Sequence, residues 1–152
     1  MEDKVKLAGE KCESYRQMGY HCSESSIRGC ADALDIYVPD EVYKAVAGFS
    51  GGGGGCRETC GLLTGGIALI SFLYGRTDPK KPVTNNYYLI RVLHERFFRE
   101  LGSINCQELR PANKYLKGLS ECSPIFARAA EILAGVILEA DKLIENMPET
   151  EK

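Results

Sequence analysis

Residues 51–79 read GGGGGCRETCGLLTGGIALISFLYGRTDP, and the fold turns on this stretch. Five consecutive glycines have no useful place inside a helix, where each costs about 1 kcal/mol relative to alanine. They predict a loop whose backbone bends tightly or approaches a neighbour closely. A helix is expected next, over residues 57–74. Its Leu62, Leu63, Ile67, Ala68, Leu69, Ile70, Phe72 and Leu73 leave almost no polar face. A helix that is apolar all round belongs in the middle of a bundle or in a dimer interface. Gly61 and Gly65 stand one turn apart and permit close backbone contact with a neighbour. Gly75 and Pro79 end the helix.

The flanking segments carry the same helical period. Val5, Ala8, Cys12, Tyr15 and Met18 recur at three- and four-residue steps, so a helix is expected over residues 3–18, stopped by Gly19. A second fits residues 23–37, with Ile27, Cys30, Ala31 and Leu34 on one face. Pro39 suits the opening of a short third helix over residues 40–47. Beyond the glycines and the apolar helix, a fifth fits residues 83–101. Ile90, Leu93, Phe97 and Leu101 form its inner stripe, with Arg91, Glu95, Arg99 and Glu100 facing water. A short helical piece is expected at residues 105–109. The last helix is expected from Ser123 to Asn146, with Pro124 at its first position and Ile125, Ala129, Ile132, Val136, Ala140 and Leu143 as its stripe. No period-two pattern and no repeat interrupts this series. The expectation is an all-α fold: a single-domain bundle of five or six helices over residues 1–147, with a Gly-rich loop before a buried central helix and a polar tail at 148–152.

Composition narrows the function. The chain has 152 residues, 44% hydrophobic and 26% charged, enough for one domain with a core. Its net charge of −2 lacks the cationic surplus that sequence-independent nucleic-acid binding needs. The nearly apolar run from Leu62 to Tyr74 is too short to span a bilayer. The charged first residues are followed by no apolar leader, so a cytoplasmic location is expected. Neither nucleic acid nor membrane insertion is expected.

Seven cysteines are present, an odd number that forbids complete pairing within the chain. Structural disulfides are disfavoured in a reducing compartment, which leaves core packing or site chemistry. Cys12 and Cys30 fall on apolar faces in mid-helix and read as small buried hydrophobes. Cys22, Cys56, Cys60, Cys106 and Cys122 instead fall at expected helix N-termini. Such ends offer unpaired N–H groups and partial positive charge, a setting that favours thiolate chemistry. Thiolates gathered at one end of a bundle suit a soft metal or an iron–sulfur cluster, whereas two of them alone suit a reversible disulfide.

The segment from Gly51 to Gly66, with its Cys60-Gly61-Leu62-Leu63-Thr64-Gly65 core, resembles the C_GCAxxG_C_C family of putative redox-active proteins. His21-Cys22-Ser23 looks like the family's first cysteine. The segment from Gly102 to Leu109, around Cys106, looks like the third, and Cys122-Ser123-Pro124-Ile125-Phe126 like the fourth. Leu62 stands where alanine is usual, a departure that concerns packing. The resemblance implies that Cys22, Cys60, Cys106 and Cys122 form the family set, and that Cys12, Cys30 and Cys56 are extra. It implies redox activity, with no established biochemical role. No CxxCH is present, so covalent haem is not expected.

Two mechanisms are therefore expected for the four-cysteine set: thiol–disulfide exchange, with Cys60 as attacker, or electron transfer through a thiolate-bound iron–sulfur cluster. The alternative is a non-catalytic module held by zinc, or a purely structural helical bundle. Cys56 and His21 are candidate additional ligands. Gly51, Gly52, Gly53, Gly54 and Gly55 form a candidate binding loop beside the site. They match neither a Walker loop nor a dinucleotide fingerprint, since no Gly-Lys-Ser/Thr follows and no strand precedes. His94, Arg57 and Glu58 read most simply as surface residues. The partner is expected to be a redox protein or a small-molecule oxidant or reductant, and the apolar central helix suggests a homodimer.

Overall fold

A computed structural model describes residues 1–110 and 123–152. Among these, eight α-helices form and no strand does. They are α1 (Glu2–Gln17), α2 (Cys22–Ala33), α3 (Asp40–Val46), α4 (Gly61–Tyr74), α5 (Thr84–Leu101), α6 (Cys106–Leu109), α7 (Ser123–Leu138) and α8 (Ala140–Glu145). The chain is helical as expected, but the number of helices exceeds five or six. Short 3₁₀ turns follow α3 at Ala47–Phe49 and close the chain at Glu149–Glu151, within the segment expected as a tail.

The extra elements have local causes. Asn105 accepts a hydrogen bond from the Glu108 N–H at 3.0 Å, which caps the short α6 as an independent turn. The long last helix divides at Glu139, whose φ of −91° and ψ of 1° depart from helical values. Arg96 of α5 holds the Glu139 carboxylate at 2.6 Å. The α2 helix ends at Ala33, four residues before the expected Tyr37. Asp35 takes a left-handed φ of 56°, and the Ile36 N–H returns to the Ala31 carbonyl at 2.9 Å. That six-to-one bond is a Schellman ending. The α1 terminus is built the same way, with Gly19 left-handed and the Tyr20 N–H bonded to the Tyr15 carbonyl.

Buried apolar side chains from the helices form one cluster, including Ile27, Leu63, Leu69, Leu89, Leu93, Phe97 and Leu133. The α4 helix packs against α2, α5 and α7, which explains its apolar character. Its last turn surfaces, leaving Phe72 and Leu73 exposed. Gly61 and Gly65 both face α2, as the spacing suggested. A β-carbon on Gly65 would stand 2.8 Å from the Ser23 carbonyl oxygen, so α2 and α4 pack backbone to backbone.

The glycine run explains why α4 begins at Gly61 and not near Arg57. All five glycines, 51 to 55, take positive φ between 57° and 87°. They wind a left-handed coil, a path that costs any other L-residue roughly 1–2 kcal/mol. The coil's carbonyls then capture the following amides: Gly51 accepts from Arg57 and Gly52 from Glu58. Next, the chain forms an isolated antiparallel bridge, Thr59 with Asn105. Residues 57–60 thus commit their backbone groups elsewhere and cannot join the helix.

Candidate functional site

The bridge seats two cysteines. Cys60 N–H donates to the Ile104 carbonyl at 2.8 Å, and Cys106 N–H donates to the Glu58 carbonyl at 2.6 Å. Cys60 is the N-cap of α4 and Cys106 the first residue of α6. Ser103 Oγ receives the Asn105 N–H at 3.0 Å and bonds the Glu108 carboxylate, bracing the turn that carries Cys106.

Cys22 arrives from the other side as the first residue of α2. The preceding His21 N–H donates to Glu24 Oε1 at 3.2 Å, closing the helix start. Below it, Ser23 Oγ donates to the Val46 carbonyl at 2.8 Å and lies 2.7 Å from Ser50 Oγ. Ser26 Oγ donates to the Leu62 carbonyl at 3.3 Å. These buried hydroxyls tie the start of α2 to the base of the glycine coil and to α4. As a result, the Cys22 sulfur is 2.5 Å from the position a β-carbon on Gly61 would take. Only a glycine leaves room there for the thiol.

Cys22, Cys60 and Cys106 line a cavity of about 670 Å³. Gly51, Gly54 and Gly55 of the coil form one wall, and Leu62, Leu109 and Phe126 supply apolar surface. The cysteines differ in access: Cys22 is half-buried, whereas Cys60 and Cys106 are each 5% exposed. Arg16, Arg57, Arg110 and His21 also line the cavity, and no aspartate or glutamate does so among the described residues. Arg57 was expected as plain surface charge, but its left-handed φ of 63° turns it into this wall. Glu58 is exposed, as expected. Arg16, Arg110 and Tyr20 were not singled out from the sequence. Arg16 lies one helical turn after Cys12, and that spacing was the available signal.

The remaining cysteines separate as follows. Cys56 is exposed and does not line the cavity; α4 begins at Gly61, so Cys56 stands further from the helix start than the expected boundary at residue 57 placed it. Cys12 and Cys30 are fully buried, and their sulfurs donate to the carbonyls of Phe126 at 3.4 Å and Ala130 at 3.2 Å. Burial, helped by the nearby Glu13 and Cys22, pushes the Cys12 thiol up to about 12. Burial likewise raises Cys30 well above its ordinary value. Both are neutral thiols stitching α1 and α2 to α7, the inert role their helical faces suggested. Cys122 lies outside the described residues.

The donor set bears on the metal expectation. Among the described residues, no group of three histidine, cysteine, aspartate or glutamate side chains is placed to hold a metal ion. Cys22, Cys60, Cys106, Cys56 and His21 therefore do not fit an iron–sulfur cluster or a tetrahedral zinc site by themselves. No helix among the described residues is long and apolar enough to cross a membrane.

Comparison with known proteins gives the site a family. An uncharacterized protein of Archaeoglobus fulgidus is 30% identical over 123 residues, covering 74% of this chain and 81% of that protein. No solved structure matches significantly. The family model described as "Putative redox-active protein (C_GCAxxG_C_C)" matches residues 20–136, a span that takes in Cys22, Cys60 and Cys106 with the cavity between them. The chain belongs to the C_GCAxxG_C_C family.

Proposed function

We propose that this protein performs thiol–disulfide exchange, with Cys22 and Cys60 as the working pair. The observation that carries the reading is the Cys22 sulfur seated on Gly61, the residue next to Cys60. Cys22 at the start of α2 and Cys60 at the N-cap of α4 thereby line one cavity. Family membership supports redox use of the same residues.

The reaction takes two displacements. The Cys22 thiolate attacks one sulfur of a disulfide, forms a mixed disulfide and expels the other half as a thiolate. The Cys60 thiolate then attacks the Cys22 sulfur, forms the protein disulfide and expels the second half. The two leaving thiolates take up the two protons that the protein thiols gave to solvent. The substrate disulfide is reduced by two electrons and the protein dithiol is oxidised by two. Cys22 attacks first because it is the most accessible cysteine of the cavity, and attack requires access. This revises the expectation of Cys60 as attacker: at 5% exposure, Cys60 is better placed to resolve than to meet substrate. A reducing cytoplasm suits the cycle, because it returns the dithiol after each turnover.

The test is trapping. Cys60→Ser should accumulate a mixed disulfide on Cys22 that peptide mass spectrometry locates, and Cys22→Ser should form none. A Cys60→Ser variant that still completes turnover removes Cys60 as the resolving thiol. Iron or zinc at one equivalent in anaerobically purified protein, lost in the same variants, would replace exchange by a metal reading.

A further inference from the structure

We infer that Cys106 is a third working thiol, which takes the disulfide over from the Cys22–Cys60 pair and frees Cys22 to meet a second substrate. This rests on the thiol–disulfide reading and gives the third cysteine of the cavity its part. The isolated bridge carries the inference. Thr59 and Asn105 stand opposite each other. They are flanked by the bonds from Cys60 N–H to the Ile104 carbonyl and from Cys106 N–H to the Glu58 carbonyl. That antiparallel register sets Cys60 opposite Ile104 and Cys106 opposite Glu58. Side chains alternate along extended chain, so those at 60 and 106 leave on one side, and those at 59 and 105 on the other. Both thiols accordingly line the same cavity. Cys60 and Cys106 are diagonal neighbours across the bridge, a relation that sets positions roughly 7–8 Å apart, with the β-carbons somewhat nearer. A disulfide needs α-carbons within about 7 Å, so a shift of about 1 Å joins them. The α6 helix that opens with Cys106 is a single turn of four residues, and a tilt of that size disturbs no longer helix.

Access sets the direction of transfer. Cys60 and Cys106 are each 5% exposed, whereas Cys22 is half-buried. The Cys106 thiolate attacks the Cys60 sulfur of the Cys22–Cys60 disulfide. The bond between Cys60 and Cys106 forms, the bond between Cys22 and Cys60 breaks, and Cys22 leaves as a thiolate. The proton that Cys106 gave up returns to Cys22. No electron leaves the protein, because one disulfide replaces another. Solvation favours this order, since the departing thiolate is the one that water reaches best. The bridge favours it too, because its two backbone bonds hold Cys60 and Cys106 together, while Cys22 comes from a separate helix. The disulfide is thus kept among buried residues and the accessible thiol is renewed.

The experiment uses the reduced full-length protein with excess hydroxyethyl disulfide, quenched at intervals by alkylation. Arg16, Arg28, Arg57, Arg76, Arg99 and Arg110 divide the three cysteines among separate tryptic peptides, so mass spectrometry locates each bond. The Cys22–Cys60 disulfide should appear first and then decay. The end state should hold a Cys60–Cys106 disulfide and one mercaptoethanol on Cys22, supplied by a second molecule of the probe. Cys106→Ser should stop at the Cys22–Cys60 disulfide, with several-fold less adduct on Cys22. If that variant fails to fold, the time course of the natural protein decides. A Cys22–Cys60 disulfide that persists while Cys106 stays out of any protein disulfide overturns the relay and leaves thiol exchange in place. Cys22→Ser should form the Cys60–Cys106 disulfide many-fold more slowly than the natural chain. An equal rate in that variant, or no Cys22 mixed disulfide at any time, overturns both.

Discussion

The sulfur of Cys22 and the α-carbon of Gly61 share one contact: a β-carbon at position 61 would stand 2.5 Å from the sulfur and 2.9 Å from the Phe49 carbonyl oxygen. The sulfur can rotate away, but the carbonyl belongs to backbone. Gly61→Ala should therefore move both the thiol and the turn that leads into the glycine coil. Alanine gains about 1 kcal/mol in helix propensity, whereas overpacking typically costs 1–3 kcal/mol, so a net loss of about 1 kcal/mol is expected. Urea unfolding measures the loss. Alkylation of Cys22 in the folded variant should also change rate, and an unchanged rate would show that the contact does not hold the thiol.

Cys12 predicts an alkaline weakness. Its thiol is raised from 9.0 to about 12 in the folded chain, first by burial and then by Glu13 and Cys22. The unfolded chain releases this proton above about pH 9, and the folded chain keeps it to about pH 12. Stability is therefore complete below pH 9 and falls across that window, by at most about 1.4 kcal/mol per pH unit for one thiol. Cys30 acts in the same direction. Urea midpoints taken between about pH 8 and about pH 10.5 should fall less steeply in Cys12→Ala than in the natural chain. Parallel slopes would mean that other groups, such as the raised Tyr15 and Tyr43, carry the loss.

Much of this arrangement was legible in the sequence, for identifiable reasons. The stripes of α1, α5 and α7 could be read because a single buried face repeats at the helical period in each. Cys22 and Cys106 could be placed at helix starts because the capping residues Ser23 and Asn105 mark those boundaries. The late start of α4 was hidden, since it depends on the coil's carbonyls and on Asn105, which lies far along the chain. The left-handed turns at Asp35 and Arg57 were hidden for a related reason. The turn bonds there, from Ile36 N–H to the Ala31 carbonyl and from Arg57 N–H to the Gly51 carbonyl, offset the cost of a non-glycine residue. The arginines that line the cavity could not be foreseen together, because they come from three separate segments.

The glycine coil separates two reasons for needing glycine. A β-carbon on Gly52 would stand 2.5 Å from the Glu58 amide nitrogen, whereas one on Gly53 would meet nothing within 4 Å. Both residues have positive φ, 74° and 87°. Gly53→Ala should then cost only the left-handed penalty, about 1–2 kcal/mol. Gly52→Ala should cost more, because it also breaks the bond from Glu58 N–H to the Gly52 carbonyl. Denaturation midpoints of the pair should rank in that order. Equal losses would mean that the coil shifts to relieve the clash.

Arg28 makes the last case, on the helix that opens with Cys22. Its guanidinium carbon lies 4.0 Å from the ring centre of Tyr43, 4.5 Å from that of Tyr20 and 5.9 Å from that of Tyr15. Its Nε is buried without a hydrogen-bond partner among the described residues, so aromatic faces take the place of acceptors. Tyr20 in turn lines the cavity two residues before Cys22. Arg28→Met keeps much of the apolar stem and removes the cation. It should cost about 1 kcal/mol, because the lost ring contacts outweigh the relief of one unpaired N–H. It should also release Tyr20, so that Cys22 alkylates faster in the folded state. A variant that loses stability but keeps the Cys22 rate would confine Arg28 to packing. An accelerated rate together with slower resolution by Cys60 would show that the tyrosine cage aims the thiol.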